Sequence, residues 1–391
     1  MENYDFETIV KRKGTSCLKW DGMDDRFGPV PGDVLPMWVA DMDFASPPQV
    51  VEAIRKRCEE GVFGYVMTPR SCLEAVSHWM ASIHGWRVDP EWVSFAPGVM
   101  PALGMIIRHF SNPGDGVLIQ PPIYPPFFRI AEENGRRAVL NPLRLENGRY
   151  VMDMESLASK VRQKDTRILL LCSPHNPVGR VWEQKELRGL ADLCIENDVL
   201  LVSDEIHADI VYPGHAHTSV ASISPEYERS IITCVSPSKT FNIPGLQTSY
   251  VIIPDAKKRE KFLAARNAAV AAKHNVFGLV AAETAYRDCN RWREEMIRYV
   301  RGNLDRALAF FGEKMPWVKP CVPEGTYLLW LDFNESGLSS QTITENLLLG
   351  GKVALDPGHW FGEEGAGWQR LNLACPRELL EDGLERIRGS F

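Results

Sequence analysis

The chain has 391 residues, 45% hydrophobic and 24% charged, which suits a globular enzyme with more than one core and excludes a disordered or fibrous chain. Its net charge is −7, with no dense basic run, so nucleic acid is not an expected partner. The acidic start Met1-Glu2-Asn3-Tyr4-Asp5-Phe6-Glu7 and the strand-sized apolar runs offer neither a signal peptide nor a membrane span.

Nine cysteines are scattered without a C-x-x-C pair, which points to reduced thiols and a cytoplasmic protein. His207, His215 and His217 lack the further cysteine or acidic pair that would complete a metal cage. No metal is expected.

In chain order, Met1 to Asp43 shows no alternation of strand and helix and is expected to pack with a distant smaller domain. Trp92–Phe95 reads as a strand, and Gly98-Val99-Met100 then opens a helix-like stretch to Phe110. Val117–Gln120, Arg167–Cys172, Val199–Ser203, Ile231–Val235 and Thr248–Ile252 are short apolar runs bounded by polar or turn residues, the pattern of parallel strands covered on both faces. Between two of them, Glu183–Asn197 carries apolar residues at helical spacing, at Leu187, Leu190, Ala191 and Cys194. Strand and helix in turn predict an α/β domain with a mostly parallel sheet. Beyond about residue 286 come a long charged helix, Arg291–Phe311, a strand, Tyr327–Leu331, a helix near Gln341 and a final helix, Arg377–Arg388. These predict a smaller α+β domain, and hence a division into 1–43, 44–286 and 287–391.

In such a sheet, ligands sit beyond the carboxyl ends of the strands. Three successive strand ends run into Ser173-Pro174-His175-Asn176-Pro177-Val178-Gly179, Asp204-Glu205-Ile206-His207 and Ser236-Pro237-Ser238-Lys239. Together they offer an amide, a carboxylate and a lysine flanked by hydroxyls. A pyridoxal-phosphate site needs that set: a lysine for the imine, a carboxylate to keep the pyridine nitrogen protonated, and donors for the ring oxygen and the phosphate. Lys239, Asp204, Asn176, Ser236 and Ser238 fill those roles in turn. The amides of Gly98, Val99 and Met100 at a helix start would attract the phosphate, and Tyr124 is placed to stack on the ring.

These three motifs resemble, in order and spacing, the signature of fold-type I pyridoxal-phosphate enzymes, the class I/II aminotransferase superfamily. Leu35-Pro36-Met37-Trp38-Val39-Ala40-Asp41-Met42-Asp43-Phe44, Phe63-Gly64-Tyr65 and Thr240-Phe241-Asn242-Ile243-Pro244-Gly245 narrow the resemblance to the MalY/PatB group of cystathionine β-lyase-like carbon–sulfur lyases. The resemblance implies the PLP-dependent transferase fold, a large domain with a seven-stranded sheet. It implies a homodimer in which Tyr65 completes the neighbouring subunit's phosphate site. It also implies that Arg370 binds the substrate α-carboxylate together with Asn176, that Trp38 and Ala40 lie near the substrate, and that His207 lies near the cofactor. One position departs from the aminotransferase pattern: Gln247 stands where aminotransferases carry a phosphate-binding arginine, eight residues after the lysine.

Each residue also has a plainer reading. Lys239 alone is a lysine at a strand end, Asp204 a helix cap, Asn176-Pro177 a turn, Arg370 half of a domain-closing ion pair, and Tyr65 and Tyr124 core aromatics. The combination favours a cofactor role for Lys239, and the resemblance implies β-elimination from an S-substituted cysteine, with Lys239 as base. Transamination shares the same early steps and stays open as the alternative. A binding protein that keeps only the fold has no sequence feature in its favour.

Overall fold

A run with no polar face is a stable strand only when both faces are covered, and Arg167–Cys172 shows how this chain achieves it. Leu169 and Leu171 pack into one buried cluster, while Ile168, Leu170 and Cys172 pack into another on the opposite side of the sheet. The structure, a computed structural model, describes residues 4–391; Met1 to Asn3 of the expected N-terminal segment lie outside the described residues.

The large sheet has seven strands: β1 Val93–Ala96, β2 Gly116–Ile119, β3 Arg137–Leu140, β4 Thr166–Cys172, β5 Leu200–Asp204, β6 Ile232–Val235 and β7 Ser249–Ile252. Their order across the sheet is β1-β7-β6-β5-β4-β2-β3. Strands β3, β2, β4, β5 and β6 pair in parallel, and β7 runs antiparallel to both its neighbours. The expectation of a parallel strand at Thr248–Ile252 is therefore corrected in direction. Only a short loop with one 3-10 turn, Pro244–Leu246, separates β6 from β7, and a parallel return needs a longer crossover. The edge strand β3 escaped the sequence reading because only Val139 in it is buried, so it carries no apolar run.

Helices cover both faces. Val99–Phe110 and Ala256–Ala268 lie against the face formed by Ile168, Leu170 and Val202. Gln184–Glu196 lies against the other, where Leu187, Leu190, Ala191 and Cys194 are buried; Glu183 and Glu186 close its first turn as a capping box.

The C-terminal part has a four-stranded antiparallel sheet of β8 Lys319–Cys321, β9 Leu328–Asp332, β10 Asp356–Pro357 and β11 Trp368–Asn372, in the order β8-β9-β11-β10. The long helix Asn290–Lys314 and the final helix Arg377–Gly389 accompany it. The N-terminal segment reaches this region as well. Leu35–Pro36 pairs in parallel with Val353–Ala354, and the Tyr4 amide donates to Glu295.

Candidate active site

Register brings the three motifs together. Cys172 of β4 lies beside Asp204 of β5, which lies beside Cys234 of β6, so the three chains leave the sheet along one edge. Beyond that edge is a cavity of about 810 Å³. Lining it are Asn176, Asp204, His207, Ser238, Lys239, Gly98, Val99, Met100 and Tyr124 from the large sheet's side, and Trp38, Ala40 and Arg370 from the other.

Lys239 Nζ donates to the carbonyl of Ala40 at 2.6 Å, and the buried Tyr327 hydroxyl donates to the same carbonyl at 2.9 Å. Burial and the nearby charge of Arg370 pull the lysine down to about 8, against the opposing fields of Asp41 and Asp204. A lysine so placed loses its proton readily near neutral pH.

Asp204 lies at the end of β5 and accepts one bond, from the Ile206 amide at 3.1 Å. Burial, reinforced by Glu205, pushes its carboxyl up to about 7. Among the described residues no cation comes within ion-pair distance of it. A buried carboxylate left in this way calls for a positive partner from outside the chain. His207 is its opposite. Burial, then Lys239 and Arg370, lower it to about 3; it is neutral near physiological pH, and its Nδ1 has no partner among the described residues.

Arg370, on β11, is the hub of the opposite wall. Its Nη1 donates to Asn176 Oδ1 at 2.9 Å and its Nη2 to the Trp38 carbonyl at 2.8 Å. It is also ion-paired with the buried Asp356, whose carboxyl burial raises against the pull of Arg370 and Arg26. Among the described residues the buried Nε of Arg370 has no partner and Nη1 donates only once, so two of the five guanidinium donors remain for a ligand carboxylate. The Arg370–Asp356 pair lies within the C-terminal sheet, so it is not the domain-closing ion pair of the plainer reading.

The helix Val99–Phe110 starts without a side-chain cap, so the amides of Val99 and Met100 are free to hold an anion. Ser238, Gln247, Thr248 and Ser249 complete that end of the cavity. Ser236 lies one layer back, with its Oγ 2.9 Å from both the Ser238 hydroxyl and the Thr248 carbonyl. Tyr65 is 97% exposed and outside the lining, so it adds nothing to the cavity of its own chain. Amine, unpaired carboxylate and anion-binding amides open on one space, as pyridoxal phosphate requires.

Sequence reading missed four lining or supporting groups: Asp356, Tyr327, Arg26 and Trp360. None stands in a motif. Only Asp356 left a signal, because a buried arginine needs a counter-charge.

The family described as "Aminotransferase class I and II" matches residues 33–387. The chain belongs to this family. Over 386 residues it is 43% identical to cystathionine β-lyase PatB of Bacillus subtilis, with 99% of each chain covered. Among solved structures, cystalysin of Treponema denticola, which contains a pyridoxal 5′-phosphate cofactor, superposes with a TM-score of 0.96 at 36% identity, over 100% of this chain and 99% of that one. A pyridoxal-phosphate-bound C–S lyase of Staphylococcus hominis, complexed with the inhibitor L-cycloserine, superposes with a TM-score of 0.93 at 31% identity, over 100% and 98%. The fold is that of the fold-type I enzymes.

Proposed function

We propose that the protein is a pyridoxal-phosphate-dependent carbon–sulfur β-lyase that cleaves L-cystathionine or a related S-substituted cysteine to a thiol, pyruvate and ammonia. The observation that carries this reading is the convergence of Lys239, Asp204 and Arg370 on one cavity, in a chain that matches over its length a cystathionine β-lyase and a C–S lyase, and also a "putative aminotransferase" of Clostridium difficile.

When bound, the cofactor supplies an electron sink for negative charge at the substrate α-carbon. Asp204 offers the anion that keeps its ring nitrogen protonated. Asn176 has an amide nitrogen with no partner in the chain among the described residues and donates it to the ring oxygen. Val99, Met100, Gly98 and Ser238 would hold the phosphate, with Ser236 supporting Ser238, and Tyr124 would lie against the ring. Arg370 takes the α-carboxylate and so fixes which face of the α-carbon meets Lys239, while Trp38 and Ala40 bound the substrate space.

Lys239, lowered to about 8, removes the α-proton at Nζ. The bond from β-carbon to sulfur then breaks and the electron pair leaves with sulfur. A thiol has a pKa near ~8.5, so the thiolate departs with little further help and takes up a proton. Water hydrolyses the released 2-aminoacrylate to pyruvate and ammonia, which balances the reaction without oxidant or reductant.

The working unit in this reading is a homodimer. Tyr65 and the also exposed Val62, Phe63 and Met67 form a surface suited to a second copy, whose phosphate site Tyr65 would complete. The division into 1–43 with 287–391, around 44–286, is supported by the pairing of Leu35–Pro36 with Val353–Ala354. Nine free cysteines suit the cytoplasm, and among the described residues no helix is long and apolar enough to cross a membrane.

The test is a panel of S-substituted cysteines followed for thiol, pyruvate and pyridoxamine phosphate together. The lyase reading expects thiol and pyruvate in equal amounts. Pyridoxamine phosphate with a keto acid that keeps its sulfur would decide for transamination.

A further inference from the structure

The cavity reaches beyond the groups that hold cofactor and amino acid. Its outer wall is built by the N-terminal segment and the loop before β11, with Asp25, Arg26, Trp38, Trp360 and Phe361 in the lining. Its volume of about 810 Å³ includes the space the cofactor would fill and lies high in the range of roughly 300–1,000 Å³ that small-molecule sites occupy.

Arg26 lies on the short helix Met23–Phe27. Its guanidinium carbon is 3.6 Å from the centroid of the Trp360 indole, a stacked cation–π contact. Phe27, the next residue, packs on Trp360 and on Trp38, each at 5.3 Å between centroids. The arginine is thus held by its flat face, which leaves its in-plane N–H donors unused. Among the described residues no carboxylate lies within ion-pair distance of it and no chain atom accepts from it. Its charge nevertheless reaches the site, where it acts on Tyr124 and on Asp356. The other arginine in the lining, Arg129, is occupied by Glu133.

An arginine stacked on an aromatic ring at the solvent-exposed rim of a cavity that it helps to line, with no donor engaged by the chain among the described residues, can take a planar anion bidentately. We infer that Arg26 receives a carboxylate on the sulfur substituent of the substrate, so that the enzyme prefers thioethers whose leaving thiol is itself an acid. Arg370 then holds the carboxylate at one end of the substrate and Arg26 the carboxylate at the other. The inference rests on the lyase reading and deepens it.

The test compares S-(2-carboxyethyl)-L-cysteine with its carboxamide isostere, S-(2-carbamoylethyl)-L-cysteine, on the cofactor-loaded enzyme. Both release a thiol and pyruvate. The expected result is a kcat/KM for the acid about tenfold above that for the amide, carried by KM, in line with one charge-assisted pair. Arg26→Gln should erase that ratio, and Arg26→Lys should restore part of it. The inhibition constant of glutarate should rise with Arg26→Gln by a similar factor, a readout independent of turnover. An equal kcat/KM for acid and amide in the unaltered enzyme, or a ratio unmoved by Arg26→Gln, would overturn the assignment while leaving the lyase reading intact. Failure of both substrates to give pyruvate and thiol would instead sink the lyase reading.

Discussion

The two walls of the cavity are held in place by different means. On the sheet side, Asn176, Asp204 and Lys239 follow the ends of three hydrogen-bonded neighbours, β4, β5 and β6, so their spacing is set by strand register. On the other side, Arg26 and Trp38 come from the N-terminal segment and Trp360 and Arg370 from the C-terminal part, far apart in sequence. There Arg370 and Asp356 are cross-strand neighbours on β11 and β10, but that sheet is joined to the N-terminal segment and to the large sheet by side-chain bonds: Arg370 to Asn176 and the Trp38 carbonyl, and Arg26 on Trp360. A wall set by backbone ladders keeps its geometry through substitution of any one side chain. A wall set by ion pairs does not. The reacting groups belong to the first wall and the substrate-selecting groups to the second.

If that comparison holds, changes on the sheet wall alter chemistry without unfolding the protein. Asp204→Asn is the sharpest case. Loss of the anion that supports the cofactor charge should cost about 10²–10³ in kcat, with little loss of fold stability, because the desolvated carboxylate is itself a burden. The pH dependence has a definite sign. The carboxyl is raised to about 7 from an ordinary 3.8, so between those values the folded cofactor-free protein binds more protons than the unfolded chain. Its stability therefore falls as pH rises through that window. A cationic ring beside Asp204 cancels the penalty. The gap in Tm between loaded and cofactor-free protein should widen from pH 5 to pH 8, and Asp204→Asn should flatten it. A gap of constant width would remove Asp204 from the cofactor.

Changes on the opposite wall should disturb both binding and fold. Arg370→Gln is expected to raise KM by about 10–100-fold, the worth of a charge-assisted contact to a carboxylate. It also strands Asp356, buried, without its partner, at a cost of about 3–5 kcal/mol, read by urea unfolding. Adding Asp356→Asn should return much of the stability and none of the affinity. If Arg370→Gln weakens binding but leaves stability unchanged, the second wall does not depend on this ion pair.

The same difference explains what could be read from sequence. Strand-end motifs are local, and parallel register projects them onto one edge, so the order of the motifs along the chain is enough to place Lys239, Asp204 and Asn176 side by side. Asp356, Arg26 and Trp360 carry no local pattern: Asp356 takes its meaning from a cross-strand partner 14 residues on, and Arg26 and Trp360 from a contact across hundreds of residues. The direction of β7 was hidden for a related reason. Burial on both faces of Ser249–Ile252 looks alike for parallel and antiparallel strands, and the short loop before it was the overlooked clue. Edge strand β3 has one buried side chain and hence no period to detect.

The smallest expected effect separates two serines that sequence placed in the same role. Ser238 lines the cavity, whereas Ser236 touches Ser238 and the Thr248 carbonyl from behind. Removal of a direct hydrogen bond to an anion should cost more than removal of its support. Ser238→Ala should therefore weaken cofactor affinity by about tenfold and Ser236→Ala by about threefold, measured as the dissociation constant of pyridoxal phosphate after resolution of the enzyme. Equal losses would mean that Ser236 turns toward the phosphate when the cofactor is in place. The wall set by strand register would then be less rigid at this corner than β6 and β7 imply.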